Sequence, residues 1–280
     1  MADNSIHFPI LDDIARDLSG EVNFPTSLDA AVMIRNTLKN SEVTLDQVAK
    51  AVALEPLIAS KLLRLSNSVA YNPSGKTITD LKTAVSRLGF ESVRTTSLAV
   101  AMDQIMKSKN LANFEQFAKM AWDHTLNVAA ICRVLARRVG RINPDEALLT
   151  GMVHDIGIFY LLYRAADYDV YRNDEAAVLE LIMGWHDSIG ESLLHVLGLP
   201  DRIIEAIHDH ESMRDVDNPC TLSDVLYFAN LLAGGGNFEW MSGGVLSDEN
   251  PFAAAARERY ASLLEEAEED ILEVRAALAA

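Results

Sequence analysis

Residues 151–157 read Gly151-Met152-Val153-His154-Asp155-Ile156-Gly157, an imidazole and a carboxylate side by side within an apolar run. Two neighbouring polar groups on a buried helix are costly to desolvate, so such a pair needs a partner that offsets the cost. A divalent metal is one such partner, because it takes neutral imidazole nitrogen and carboxylate oxygen together. Mutual hydrogen bonding is the alternative, since the two groups also satisfy each other. The other ligands the chain supplies bear on the choice, and they are a mixture of kept and lost.

Outward from this pair, helix signals dominate. Thr44 with Gln47 reads as a capping box opening a helix to about Leu54. Pro56 suits the first position of the next helix, and Asn72-Pro73-Ser74-Gly75 reads as a turn. Thr79 is expected to cap a helix carrying Leu81, Val85 and Leu88, with Gly89 as its stop. Further helices are expected near 91–107, 113–140, 145–163, 175–183, 187–197 and 200–210. No alternating run with hairpin chemistry interrupts them. The expected fold is all-α, an irregular helical bundle.

In the tail, Tyr260, Leu264, Ala267, Ile271, Val274 and Leu278 follow a 4-3-4-3-4 spacing, an apolar seam along one helix. Its other face is acidic, with Glu265, Glu266, Glu268, Glu269, Asp270 and Glu273, so the helix needs that seam buried. The seam docks on its own domain or serves a partner or dimer. Gly234-Gly235-Gly236 and residues 241–250 read as its flexible connection.

With 280 residues, 49% hydrophobic and 23% charged, the chain has the composition of a soluble globular protein of one large or two small domains. Apolar runs such as Ile158 to Tyr163 are too short to span a bilayer. Met1-Ala2-Asp3-Asn4 lacks the start of a signal peptide, and Cys132 and Cys220 lack C-x-x-C spacing. Together these set the expectation of a cytoplasmic protein with reduced thiols. The net charge of −17, from 24 basic against 41 acidic residues, argues against nucleic acid or anionic membrane as partner.

Histidines recur around the opening motif. His124 lies in Trp122-Asp123-His124-Thr125, early in a long amphipathic helix, and His186 opens the helix-like segment His186-Asp187-Ser188-Ile189-Gly190-Glu191. His210, followed by Glu211, ends the segment that starts at Leu199. His195 reads as structural and His208 as solvent-facing, while His7 lies outside the pattern. The basic stretch Arg133, Arg137, Arg138 and Arg141 either assists an anionic ligand or, as the favoured reading, places Arg137 and Arg138 at the carbonyl end of the helix before Gly140.

These residues, with the phrases "SLDAAVMIRNTL", "LDQVAKAVALEPLIASKLLRLSNSVAY", "ITDLKTAVSRLGFESVRTTSLA" and "WHDSIGESLLHVLGLPDRIIEAIHDHE", make the chain resemble the HDOD domain over roughly residues 23–232. That domain is a bacterial signalling module of the HD superfamily, related to HD-GYP domains and metal-dependent phosphohydrolases. The resemblance implies an HD-like helical core at 119–232 and an additional N-terminal helical subdomain at 23–118. Residues 1–22 would be an N-terminal segment, and 233–280 a linker and amphipathic helix.

The resemblance also implies a metal site of His124, His154 and Asp155, with His186 and His210 fitting a second position. Asn230 stands where the first site would have an aspartate, and Glu211 replaces a second histidine. Ile158 stands where related phosphodiesterases often have lysine, and Ser212-Met213-Arg214-Asp215 replaces the Gly-Tyr-Pro signature of cyclic di-GMP hydrolysis. The leading expectation is therefore a signalling module acting through a protein partner, with a degenerate metal site and a homodimer among its contacts. The alternative is a metal-dependent phosphohydrolase of a nucleotide or other phosphate ester, using iron, manganese or a similar ion.

Overall fold

Apolar stripes and caps place helices along most of the chain. The structure, a computed structural model, describes residues 6–19, 26–69, 71–73, 75–208, 210–212, 214, 218–234 and 251–278, with side chains excepted at 26–29, 251–254 and 273–278. Among the described residues there is no strand, in line with the all-α expectation, and no helix is long and apolar enough to cross a membrane. The chain divides into two compact units, residues 1–23 with 105–265 and residues 24–104 with 266–280.

In the smaller unit, α2 (Thr26–Leu38), α3 (Leu45–Ala53) and α4 (Pro56–Ser66) pack in succession. The capping box at the start of α3 is present: Thr44 Oγ1 accepts the Gln47 N–H at 3.3 Å and Gln47 Oε1 accepts the Thr44 N–H at 2.8 Å. Pro56 opens α4 as expected. The Gly75 N–H donates to the Asn72 carbonyl at 3.0 Å, closing the turn read from that stretch. Helix α5 (Leu81–Met106) is capped by Asp80 rather than Thr79, because the Asp80 carboxylate accepts the Thr83 N–H at 2.8 Å. A carboxylate there also meets the positive end of the helix dipole. Gly89, at a φ of 78°, interrupts α5 in a region only glycine enters cheaply, yet the chain resumes its helix at once.

The larger unit holds α6 (Glu115–Leu135), α7 (Pro144–Val153), α8 (Ile156–Ala165), α9 (Asp169–Asn173), α10 (Glu175–Leu197), α11 (Asp201–His208) and α12 (Leu222–Leu232). Two expectations are corrected here. The helix expected over 145–163 is two helices, α7 and α8, with His154 and Asp155 in the turn between them. On one continuous helix adjacent side chains diverge, and the break lets both face inward. Conversely, 175–183 and 187–197 are a single helix with His186 in its middle. Its buried residues Val178, Leu181, Ile182, Leu193, Leu194 and Leu197 continue past exposed Gly184 without interruption.

Helix α1 (Phe8–Ser19) lies on α8 and α10. His7 is buried beside it, with Nδ1 3.0 Å from the Tyr171 hydroxyl, and Asp17 pairs with Arg164. His195 is exposed near Glu191 rather than structural, since its position on α10 faces solvent. His208 is solvent-facing as expected and its Nδ1 lies 2.8 Å from Glu191.

The tail forms α13 (Pro251–Leu278). In its first half Tyr260 is buried edge-on against Phe228 of α12, and Arg259 donates to Asn218 at 2.7 Å. That part of the seam therefore docks on its own unit. Ala267 is buried, Leu264 and Ile271 are half-buried, and the side chains of Val274 and Leu278 lie outside those described. The expected flexible connection beyond Gly234 also lies outside the described residues.

Two glycines bring the helices of the larger unit together. A Cβ on Gly151 would lie 2.6 Å from Ala129 Cα, so α7 and α6 meet backbone to backbone. A Cβ on Gly157 would lie 1.9 Å from the His186 carbonyl oxygen, which sets the same contact between α8 and α10. Gly157→Ala should therefore cost about 2–3 kcal/mol in urea unfolding through overpacking. Gly184→Ala, open to solvent on α10, should instead gain about 0.5–1 kcal/mol.

A second capping box opens α12. Thr221 Oγ1 accepts the Asp224 N–H at 3.1 Å, and Asp224 Oδ2 accepts the N–H groups of Thr221 at 3.0 Å and Cys220 at 3.3 Å. Burial works against ionisation of Asp224, but these hydrogen bonds and Arg214 outweigh it and hold the carboxyl below its ordinary value. The stability it contributes is thus complete above the ordinary carboxylate pKa of about 4 and is lost as pH falls through the lower folded value. Asp224→Asn should destabilise the protein at pH 7, and its deficit relative to wild type should shrink in denaturation series run toward pH 3.

Candidate metal centre

Four imidazoles from separate elements of the larger unit converge on one carboxylate. His124 comes from α6, His154 and Asp155 from the turn between α7 and α8, His186 from α10, and His210 from the turn after α11. Asn230 comes from α12. None of these six residues is more than 5% exposed. Ring centroids lie 5.4 Å apart for His124 and His154, 5.2 Å for His154 and His210, and 5.8 Å for His186 and His210.

Three of the imidazoles are aimed by their own backbone. His154 Nδ1 lies 2.8 Å from the Gly151 carbonyl, His186 Nδ1 3.0 Å from that of Ile182, and His210 Nδ1 2.9 Å from that of Ile207. A carbonyl only accepts, so each Nδ1 carries a proton and each Nε2 is turned toward the other members of the cluster. For His154 and His210 that Nε2 makes no hydrogen bond, although both atoms are buried.

Asp155 stands between two groups of these nitrogens. Its Oδ2 is 3.1 Å from His154 Nε2 and 3.8 Å from His124 Nε2, while its Oδ1 is 3.5 Å from His210 Nε2. Burial opposes its charge, yet His154 and His210 outweigh it and hold the carboxyl well below the usual range. Burial takes His124 down to about 4, against the pull of Asp155. It acts downward on His210 as well, but the neighbouring carboxylate of Asp155 prevails and raises that imidazole to about 9. An ion bound here would compete with the His210 proton, so its uptake would release protons.

Asn230 is near His124, within reach of a side-chain hydrogen bond, and its buried Oδ1 makes none. At the rim, Glu211 Oε1 is 3.9 Å from His186 Nε2. Asp187, which sequence reasoning passed over, is closer: its Oδ1 is 2.9 Å from His186 Nε2. The signal for it was the second His-Asp dipeptide, His186-Asp187, which repeats His154-Asp155.

The donors form three overlapping groups able to hold a metal: His124, His154 and Asp155; Asp155, His186 and His210; and His186, Asp187 and Glu211. Imidazole nitrogen with carboxylate oxygen suits a first-row divalent ion such as iron or manganese. The orphaned, buried Nε2 atoms of His154 and His210 are what such an ion would satisfy.

The chain matches the HDOD domain family over residues 24–213 and belongs to it. Among curated proteins none matches the chain. Among solved structures, it is similar to a proposed metal-dependent phosphohydrolase of Shewanella amazonensis SB2B, at 17% identity and TM-score 0.70 over 97% of this chain and 98% of the other. An HDOD domain protein of unknown function from Geobacter sulfurreducens aligns at 23% identity and TM-score 0.61, covering 95% and 96% of the two chains. A proposed signal transduction protein of Marinobacter aquaeolei VT8 aligns at 17% identity and TM-score 0.60 over 99% of this chain and 66% of that one. At these identities the likeness is one of fold.

Saturating manganese, at about a hundred times its Kd, should stabilise the folded chain by about 2.7 kcal/mol and raise its Tm by several degrees. Asp155→Asn, lacking the carboxylate between the two groups, should show no such shift in a thermal melt.

Proposed function

We propose that the chain is a bacterial signalling module acting through contacts with a signalling protein or a second copy of itself, and that its metal centre is structural and regulatory rather than hydrolytic. We place it in the cytoplasm. One observation carries this reading: the core of the cluster is buried. All four imidazoles and Asp155 are almost wholly buried and only the edge made by Asp187 and Glu211 meets solvent, whereas a hydrolytic metal needs a position open to water and substrate.

Charge supports the same conclusion. Among the described residues no lysine or arginine pairs with Asp155, Asp187 or Glu211. Ile158, at the position where related phosphodiesterases often carry lysine, is fully buried in the apolar core. Neutral Asn230 leaves the His124 side with one anionic ligand fewer than the resemblance implies, and a hard cation is bound less tightly for it.

A second reading is favoured by Asp155, whose two oxygens face different imidazole groups as a carboxylate bridging two metals would. On that reading the chain hydrolyses a nucleotide or other phosphate ester, and a bound iron or manganese ion would activate water and offset developing charge. The two are separated by assaying the purified protein, with manganese or iron supplied, on nucleoside monophosphates and bis(p-nitrophenyl) phosphate as well as on cyclic di-GMP. No turnover is expected. Turnover that disappears in both His154→Ala and Asp155→Ala would make the chain a hydrolase.

A further inference from the structure

Arginine keeps its charge in a protein, so a partly buried guanidinium needs acceptors for its five donors. In the smaller unit, Arg35 of α2 lacks them. Its Nη2 donates to Asn36 Oδ1 at 2.6 Å, a neutral acceptor on the next residue. Its Nε and Nη1 are buried and make no hydrogen bond, and among the described residues no carboxylate pairs with it. Burial and the neighbouring guanidinium of Arg94 both disfavour its charge and hold its pKa below the ordinary value.

Arg94, on α5, is only partly satisfied itself. Its Nη1 spans both oxygens of Glu91, at 3.1 and 2.9 Å, while its Nε is buried without a hydrogen bond. Glu91 lies one turn earlier on the same helix with its side chain 41% exposed, so water screens much of its charge. Lys39, exposed one turn after Arg35 on α2, adds a further positive charge to that helix face. With 41 acidic residues against 24 basic, the chain has ample carboxylates to neutralise two guanidiniums. Three of their buried nitrogens nevertheless have no acceptor.

We propose that Arg35 and Arg94 form a binding site for a phosphate dianion, either free or at the end of a nucleotide. Neighbouring guanidiniums repel each other until an anion joins them, and a tetrahedral phosphate has oxygens enough to accept a forked pair of N–H groups from each. A carboxylate is matched by a single fork, so the pair selects the phosphate. Both side chains reach solvent in part, with Arg94 20% exposed, so the anion meets them by rotation of long side chains rather than through the apolar core. The site lies within the smaller unit, apart from the imidazole cluster, and does not rest on the metal-centre reading. Its occupancy ties α2 to α5 and gives the signalling module a small-molecule input in addition to its protein contacts.

The test is calorimetric titration of the metal-free full chain with sodium phosphate, and separately with adenosine monophosphate, at constant ionic strength. A pH of about 8 keeps the phosphate above its second pKa, and circular dichroism establishes that each variant is folded. Wild type is expected to take up one phosphate per chain. Arg35→Gln and Arg94→Gln should each weaken uptake by about tenfold or more, as loss of a charge-assisted hydrogen bond does. Arg35→Lys should recover only part of it, because lysine lacks the fork. Without phosphate, Arg35→Gln should melt no lower than wild type, since it removes one of two crowded cations; an arginine that merely holds the fold together would give a lower melt. Tighter binding of the monophosphate than of free phosphate makes the ligand a nucleotide, and equal or weaker binding makes it phosphate itself. The site is overturned by a wild type that takes up neither, by Arg35→Gln binding as tightly as wild type, or by Arg35→Gln melting well below wild type in phosphate-free buffer.

Discussion

The backbone contact between α8 and α10 at Gly157 is the constraint on which the centre depends. It sets the helix carrying His186 and Asp187 directly beside the turn carrying His154 and Asp155. Gly151 does the same for α6, the helix that carries His124. Both glycines flank the His-Asp pair in sequence, and neither is there for a turn. Each is small because a neighbouring main chain occupies the space a side chain would need, which converts a local motif into a long-range register for three helices.

That register creates an electrostatic problem the side chains solve only in part. Four imidazoles and one carboxylate leave water together, and Asp155 alone cannot satisfy all the nitrogens that face it. The opposed shifts of His124 and His210 express this: one imidazole is too desolvated to hold a proton, while the other holds one strongly because Asp155 is beside it. A cation shared among the same atoms would relieve the conflict, which is what favours a metal in this cluster over a purely hydrogen-bonded core.

Much of this was legible in the sequence wherever the deciding interaction is local. The capping box at Thr44 and Gln47 and the opening of α4 at Pro56 depend on residues within one turn of each other. The grouping of His124, His154, His186 and His210 came from family resemblance rather than from periodicity. What escaped was decided at longer range or by finer geometry. The break at His154 and Asp155 falls inside an apolar run that continues on both sides, so periodicity gave no warning. Asp80 displaced Thr79 as a cap through the reach of one side chain. Asp187 was hidden because residues adjacent on a helix normally point apart, yet its carboxylate still reaches the nitrogen of His186.

The carbonyl contacts of the imidazoles have a consequence for how such a site changes over evolution. In many metal proteins a ligand histidine is braced by another side chain, and losing the brace spoils the ligand. Here His154, His186 and His210 are braced by peptide oxygens three or four residues earlier in their own segments. No substitution elsewhere deletes a peptide oxygen. Individual ligands can therefore be exchanged one at a time, an aspartate for Asn230 or a histidine for Glu211, while the remaining imidazoles keep their aim, so a lineage can move between metal occupancies without rebuilding the pocket.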